Sequence, residues 1–416
     1  AGMGAYSHFQ GKADTAFLRK INFRINWDAS FGWPYFGMFF PPLNHDVVWK
    51  SCGADERGDI VPALIKDVSY QSMDDYNIRM RKMGFFVLNY FNVTEFGSKI
   101  NKTSSGIQPD TGDVWKDPNA YLYTKMPDGI VRNQADAGPV YTWGKAVVID
   151  PGDAEVQQNC IGQVRNYLNN LPNSAGICID RMDHLLRINF ADGADDRIGW
   201  YNNRSGRFLG FSWLEIMSKI GPMLHEKKKA IFVNPVKYGH RYKGYALNGS
   251  ALIGLRKPVL TWTVDTNAIK PNPDRYFQRL LYMGAYPMAP FEGNDHSIRP
   301  GTWADQYYLD YGPLFSTIRD KKWVLSPNCV ETSAPGTRVN LFQVPDGYVL
   351  PVIFNDNADV VTVFVRNIKG LESLKCEVLL PGSKTRVPVE ANLKNDVLEI
   401  KVHTRRGCAM VKLSHL

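Results

Sequence analysis

Short apolar runs recur along the first two thirds of the chain, and most of them adjoin a longer segment of helical period. The runs are KINFRINW (20–27), GFFVLNYFN (84–92), KAVVID (145–150), AGICID (175–180), KAIFVN (229–234), GYALNG (244–249), PVLTWTVD (258–265) and GAYPMAP (284–290). Apolar residues at intervals of three and four mark SMDDYNIRMRKM before the second run, DAEVQQNCIGQVRNYLNNL before the fourth and FSWLEIMSKIGPML before the fifth. Continuous apolar strands alternating with helices are what a parallel sheet covered on both faces requires. Eight such runs predict an α/β fold, a (β/α)8 barrel. Between the sixth and seventh runs there is room for only a very short helix.

Near residue 325 the pattern changes. RVNLFQV, GYVLPVIFN, DVVTVFVRN, KCEVLLPG, VLEIKVH and GCAMVKLS alternate apolar and polar positions, and PDG, NDNAD, PGSKT and LKND separate them. Strand–turn repeats with no helical period predict an antiparallel β-sandwich. The expected organisation is therefore a barrel over residues 1–325 and a small accessory sandwich over 326–416.

Polar residues gather at the C-terminal ends of the barrel runs: Asp28, Asn92 and Glu95, Asp150, Asp180, Asn234, Asn248, Asp265, then Glu292, Asp295 and His296. That end of a barrel carries the active site, because the strand-to-helix loops converge there. Acidic residues at strand ends also cap the following helix; the whole set is read as a site. Two long segments, 28–67 and 93–143, follow the first two runs and hold Trp33, Tyr35, Phe36, Trp49, Trp115, Tyr121, Tyr123 and Trp143. Segments of that length inside a compact domain are usually binding walls or lids. Aromatic rings there either suit the flat faces of sugars, as does Trp262 in the seventh run, or anchor the loops through a small core of their own.

Composition narrows the partners. Ten Trp, 20 Tyr and 21 Phe bring the aromatic share to 12%. The net charge is +8, but the densest basic runs are only HEKKKA (225–230) and HTRRG (403–407). No nucleic-acid-binding motif accompanies them. The first reads as the positive C-terminus of a helix, so nucleic acid is not an expected partner, whereas an acidic polymer is compatible with the charge. No run of 18 apolar residues predicts a membrane span. The six cysteines form no C-x-x-C pair, and no H-x-H or H-E-x-x-H spacing predicts a metal centre; neither metal nor cofactor is expected. Sequons occur at Asn92, Asn101, Asn203 and Asn248. Starting AGMGAY, the sequence reads as a processed form or a piece of a longer chain, with a secreted or periplasmic setting favoured.

The stretch VVIDPGDAEVQQNCIGQVRNYLNNLPNSAGICID (147–180) resembles clan D glycoside hydrolases such as α-galactosidases, in which a strand, a helix and a second strand lead to a nucleophilic aspartate. GICIDRMDH also resembles the fourth strand of the α-amylase superfamily, with Gly176, Asp180 and His184 in place and Cys178 where that pattern has arginine. The resemblance implies a barrel glycosidase with Asp180 as nucleophile. In clan D relatives the acid/base is an aspartate after the sixth strand, where this chain has Asn248.

The chemistry agrees with that implication. Glycoside hydrolysis needs one carboxylate at the anomeric carbon and one carboxylic acid at the leaving oxygen. Asp180 beside Arg181 is suited to stay ionised, and Asp265, ending the seventh run, is the preferred acid. Asp28, Trp33, Glu95, Trp143, Arg181, Asp183, His184, Asn234, Asn248, Trp262, Glu292, Asp295 and His296 are the candidate substrate-binding residues. The alternative is a carbohydrate-binding barrel that has lost its acid/base.

Overall fold

The computed structural model describes residues 3–5, 15–20, 23–28, 47–51, 61–96, 118–142, 146–179, 182–233, 260–261, 269–287, 303–354 and 359–415. The chain divides into two compact units, one of residues 6–8 and 26–240, the other of residues 1–5, 9–25 and 241–416.

At the centre of the first unit lies a sheet whose strands follow in the order β1 (Phe23–Asp28, its last three residues in this unit), β2 (Phe86–Phe91), β5 (Gly176–Ile179) and β6 (Ala230–Val233). β2 and β6 both pair in parallel with β5, Leu88 and Ala230 opposite Gly176, Phe91 and Val233 opposite Ile179. The register therefore brings the C-terminal ends of three strands to one edge. Gly176 is required here: a Cβ would stand 2.0 Å from the carbonyl oxygen of Ala230. All four residues of β5 are buried, as expected for a strand covered on both faces.

Three helices cover this sheet where the helical period placed them. α1 (Tyr70–Lys82) starts on a capping box, with Ser69 and Ser72 exchanging backbone-to-hydroxyl bonds of 3.0 and 2.9 Å. α2 (Ala154–Asn170) starts on Asp153, which accepts from the N–H groups of Glu155 and Val156, and buries Val156, Cys160, Val164 and Tyr167 along one stripe. α3 (Leu209–Glu226) buries Leu209, Ile216, Ile220 and Leu224. Lys229, from the basic run behind α3, donates at 2.6 Å to the carbonyls of Pro172 and Ser174, so it ties down the turn before β5 as well as following a helix C-terminus.

The third apolar run corrects the sequence reading. Its core, β4 (Val147–Val148), pairs antiparallel with β3 (Glu95–Phe96), while β2 and β5 are direct neighbours in the parallel sheet. The N–H groups of Val148, Ile149 and Asp150 go to the carbonyls of Val140, Thr94 and Gly129, so residues 146–150 fold back against the residues that follow β2. A buried apolar run looks alike in either kind of ladder. Periodicity also misses a three-stranded antiparallel sheet, Ile188–Asn189, Gly199–Tyr201 and Arg204–Phe208, whose hairpin turns on Asn202 and Asn203 at φ 45° and 57°.

In the second unit Leu260–Thr261 and Tyr286–Pro287, from the seventh and eighth runs, pair in parallel across α4 (Pro273–Met283). The sixth run lies outside the described residues. After α5 (Asp305–Ser316) come two antiparallel sheets. Val361, Val363 and Val365 of one and Leu350, Val352, Val411 and Leu413 of the other belong to a single buried core. Beyond residue 337 the only helical element among the described residues is the short turn Leu371–Ser373.

Arg406 joins these parts of the unit. Its guanidinium bonds Asp274 of α4 and Asp310 of α5 at 2.5 Å each and lies over the rings of Tyr307 and Tyr311. Its carbonyl accepts from Gln278 at 2.6 Å. Losing this two-carboxylate clamp leaves half-buried charges without their partner. Arg406→Met should cost about 2–3 kcal/mol, visible as a lower melting temperature. Lys401→Met, which breaks a largely exposed pair with Glu390, should cost under about 1 kcal/mol. Equal shifts would show that the clamp is no more than a surface pair.

Candidate functional site

The described part of the site grows from the end of β2. Asn92 follows the strand, and its side-chain carbonyl accepts from the backbone N–H of Thr94 at 2.8 Å. A backbone N–H can only donate, so the Asn92 amide is held one way round, with Nδ2 turned to the Glu95 carboxylate at 2.9 Å. Thr142, just before β4, donates its hydroxyl to Glu95 Oε1 at 2.6 Å. From the turn Met182–Leu186 behind β5, His184 Nε2 stands 3.2 Å from the same oxygen. Glu95 is wholly buried and His184 is 3% exposed. A buried carboxylate is tolerated only with such donors around it. Three separate segments are thereby fixed to one group.

A second buried carboxylate, Asp150, is structural. It accepts from Gly152 N–H at 2.8 Å, from Asn189 Nδ2 at 3.0 Å and from Arg207 Nη1 at 3.4 Å. It fastens the three-stranded sheet to the start of α2.

Of the loop aromatics, for which the sequence leaves both a cleft and a loop-anchoring role open, Trp49 is buried edge-to-face against Tyr70, and Tyr121 stacks on Phe96. Both anchor their segments. Tyr123 is more open, and Tyr141, next to Thr142, is half exposed. Partial burial and a hydrogen bond to Tyr141 push the Tyr123 phenol up to about 12. The sequence reading overlooked Thr142 and Tyr141, for which no periodic signal exists.

Among the predicted site residues, Asp28 is buried at the end of β1, and Glu95 and His184 come together. Asp183 lies in the turn Met182–Leu186. Asp180, Arg181, Trp33, Trp143, Asn234, Asn248, Trp262, Asp265, Glu292, Asp295 and His296 lie outside the described residues. The Asn92 sequon is wholly buried, whereas Asn203 is exposed on its turn. Among the described residues no three His, Cys, Asp or Glu side chains are grouped as a metal ion would need, and no helix is long and apolar enough to cross a membrane.

No protein-family profile and no curated protein matches the chain. Solved structures do. A noncanonic maltogenic α-amylase from Thermotoga neapolitana matches over 99% of this chain and 96% of its own, with a TM-score of 0.53 and 12% identity. A cycloisomaltooligosaccharide glucanotransferase from Paenibacillus sp. matches over 99% and 84%, with a TM-score of 0.58 and 9% identity. An α-amylase from Geobacillus thermoleovorans, complexed with acarbose, matches over 99% and 96%, with a TM-score of 0.51 and 10% identity. The chain has the fold of the α-amylase-type glycoside hydrolases. These are barrel enzymes with C-terminal domains. The Glu95–His184 pair stands beyond the C-terminal ends of β2 and β5.

The cluster generates a stability test. Asn92→Ala should cost about 1–3 kcal/mol, because it strips one donor from a buried carboxylate. Asn92→Asp, nearly isosteric, should cost at least as much, because it replaces that donor with a like charge. Melting curves decide; an Asn92→Asp protein as stable as the wild type would show that Glu95 does not depend on this amide.

Proposed function

We propose that this protein is a retaining glycoside hydrolase acting on an oligo- or polysaccharide, with Asp180 as nucleophile. The observation that carries the reading is the parallel register of β2, β5 and β6. It brings the C-terminal end of β5, the strand that Asp180 follows in sequence, to the edge where the buried Glu95–His184 pair stands. The amylase-type fold supports the same reaction class, because glycosidases and glucanotransferases use it. In this reading residues 1–325 close a (β/α)8 barrel and residues 326–416 form an accessory β-sandwich.

The reaction runs in two steps. The Asp180 carboxylate attacks the anomeric carbon while the glycosidic C–O bond breaks, and the leaving oxygen takes a proton from Asp265. Water then attacks the glycosyl ester, giving its proton to Asp265 and releasing Asp180. Asp295, Glu292 and His296 after the eighth run, with Asp28, Asn234 and Asn248, contribute contacts to sugar hydroxyls. Arg181 and Asp183 flank the nucleophile. Trp33, Trp143 and Trp262 offer stacking faces, and Tyr141 adds another. The positive net charge makes acidic polysaccharides worth including beside the α-glucans suggested by the structural neighbours.

Asp180→Asn should lower kcat by several powers of ten on whichever substrate a panel of aryl glycosides, α-glucans and acidic polysaccharides reveals, at about 1.4 kcal/mol of barrier per factor of ten. The melting temperature should stay put, since the strand beneath is fixed by apolar packing. Near-normal turnover in a stable Asp180→Asn protein would remove the nucleophile assignment. Wild-type protein that binds a polysaccharide without cleaving it would instead support a binding barrel.

A further inference from the structure

His184 is buried, yet its two ring nitrogens are treated differently. Nε2 faces the Glu95 carboxylate, whereas Nδ1 has no hydrogen-bond partner among the described residues. A carboxylate offers only acceptors, so the nitrogen facing it must carry a proton. The other nitrogen of that tautomer is a bare acceptor. We propose that Glu95 is a positioning residue that locks His184 as the Nε2–H tautomer, so that Nδ1 accepts a hydrogen bond from a hydroxyl of the bound sugar. This inference rests on the glycosidase reading for its ligand and on the geometry alone for its tautomer.

The surroundings of Glu95 make the lock specific. Asn92 cannot turn over, because its carbonyl is held by the Thr94 N–H. It therefore always presents a donor to Oε2. In a Glu95→Gln protein the amide oxygen must take the Oε2 place, and the amide nitrogen must take the Oε1 place. There it meets the Thr142 hydroxyl, which can rotate to accept, and His184 Nε2. Facing a donor, Nε2 becomes the acceptor and the proton moves to Nδ1. One isosteric change thus inverts the tautomer without altering the shape of the cluster.

Side-chain 15N spectra of histidine-labelled protein read the two nitrogens directly. His184 among the eight histidines is assigned by its disappearance in His184→Gln, whose amide keeps a donor toward Glu95 and lacks Nδ1. In the wild type Nε2 should be protonated and Nδ1 bare, and in Glu95→Gln the pattern should be reversed. A protonated Nδ1 in the wild type, or an unchanged pattern in folded Glu95→Gln, overturns the proposal; should Glu95→Gln not fold, the wild-type spectrum alone decides. The second arm uses monodeoxyfluoro derivatives of the glycoside that is turned over, since fluorine cannot donate. At one sugar position the wild type should lose about tenfold in kcat/KM on exchange of hydroxyl for fluorine, and Glu95→Gln about twofold or less. His184→Gln should raise KM about tenfold with kcat within about twofold. Equal fluorine penalties in wild type and Glu95→Gln at every position overturn the assigned role of Nδ1. Absence of turnover on every glycoside overturns the glycosidase reading, and the tautomer result then stands by itself.

Discussion

A carboxylate taken out of water must be surrounded by donors, and this requirement at Glu95 organises the edge of the parallel sheet. The group accepts from Asn92 behind β2, from Thr142 before β4 and from His184 behind β5. Each donor belongs to a different segment of chain, so the carboxylate fixes three connections that apolar packing alone would leave free to shift. Packing holds the strands beneath: β5 is buried on both faces, and Gly176 lets the backbone of β6 approach it. The polar cluster then decides where the turn Met182–Leu186 behind β5 sits.

The same division between packing and polar geometry explains what could be read from the sequence. Apolar-rich runs located β1, β2, β5 and β6, most plainly β5, where a strand buried along its whole length leaves no room for polar positions. Stripes at helical spacing located α1, α2 and α3. The run 145–150 was misplaced for the same physical reason: Val147 and Val148 are as buried in their small antiparallel ladder as they would be inside a barrel. Glu95 and His184 were legible as polar residues behind strands. Their mutual contact was not, since nothing in spacing links positions 89 residues apart. Thr142 was invisible, as a lone hydroxyl in a loop carries no pattern. Trp49 took the second of the two readings open to a loop aromatic, anchoring its own segment against Tyr70 rather than lining a cleft.

With identities of 9 to 12%, the similarity to amylase-type enzymes is one of backbone arrangement. A shared fold at that distance does not carry function with it, and the chemistry must come from this chain's own side chains. Buried pairs such as Glu95–His184 are expensive to maintain, and a chain that needed only stability would do as well with apolar residues there. Their presence beyond the ends of β2 and β5 is what favours the proposed working site.

Trapping of the covalent intermediate tests this account most directly. An activated 2-deoxy-2-fluoro glycoside slows both steps and, where the leaving group is good, lets the glycosyl-enzyme accumulate. The account predicts a mass increase of one fluoroglycosyl unit, located by peptide mapping to Asp180. Labelling at a different carboxylate, or none with a glycoside that the enzyme demonstrably turns over, would contradict it.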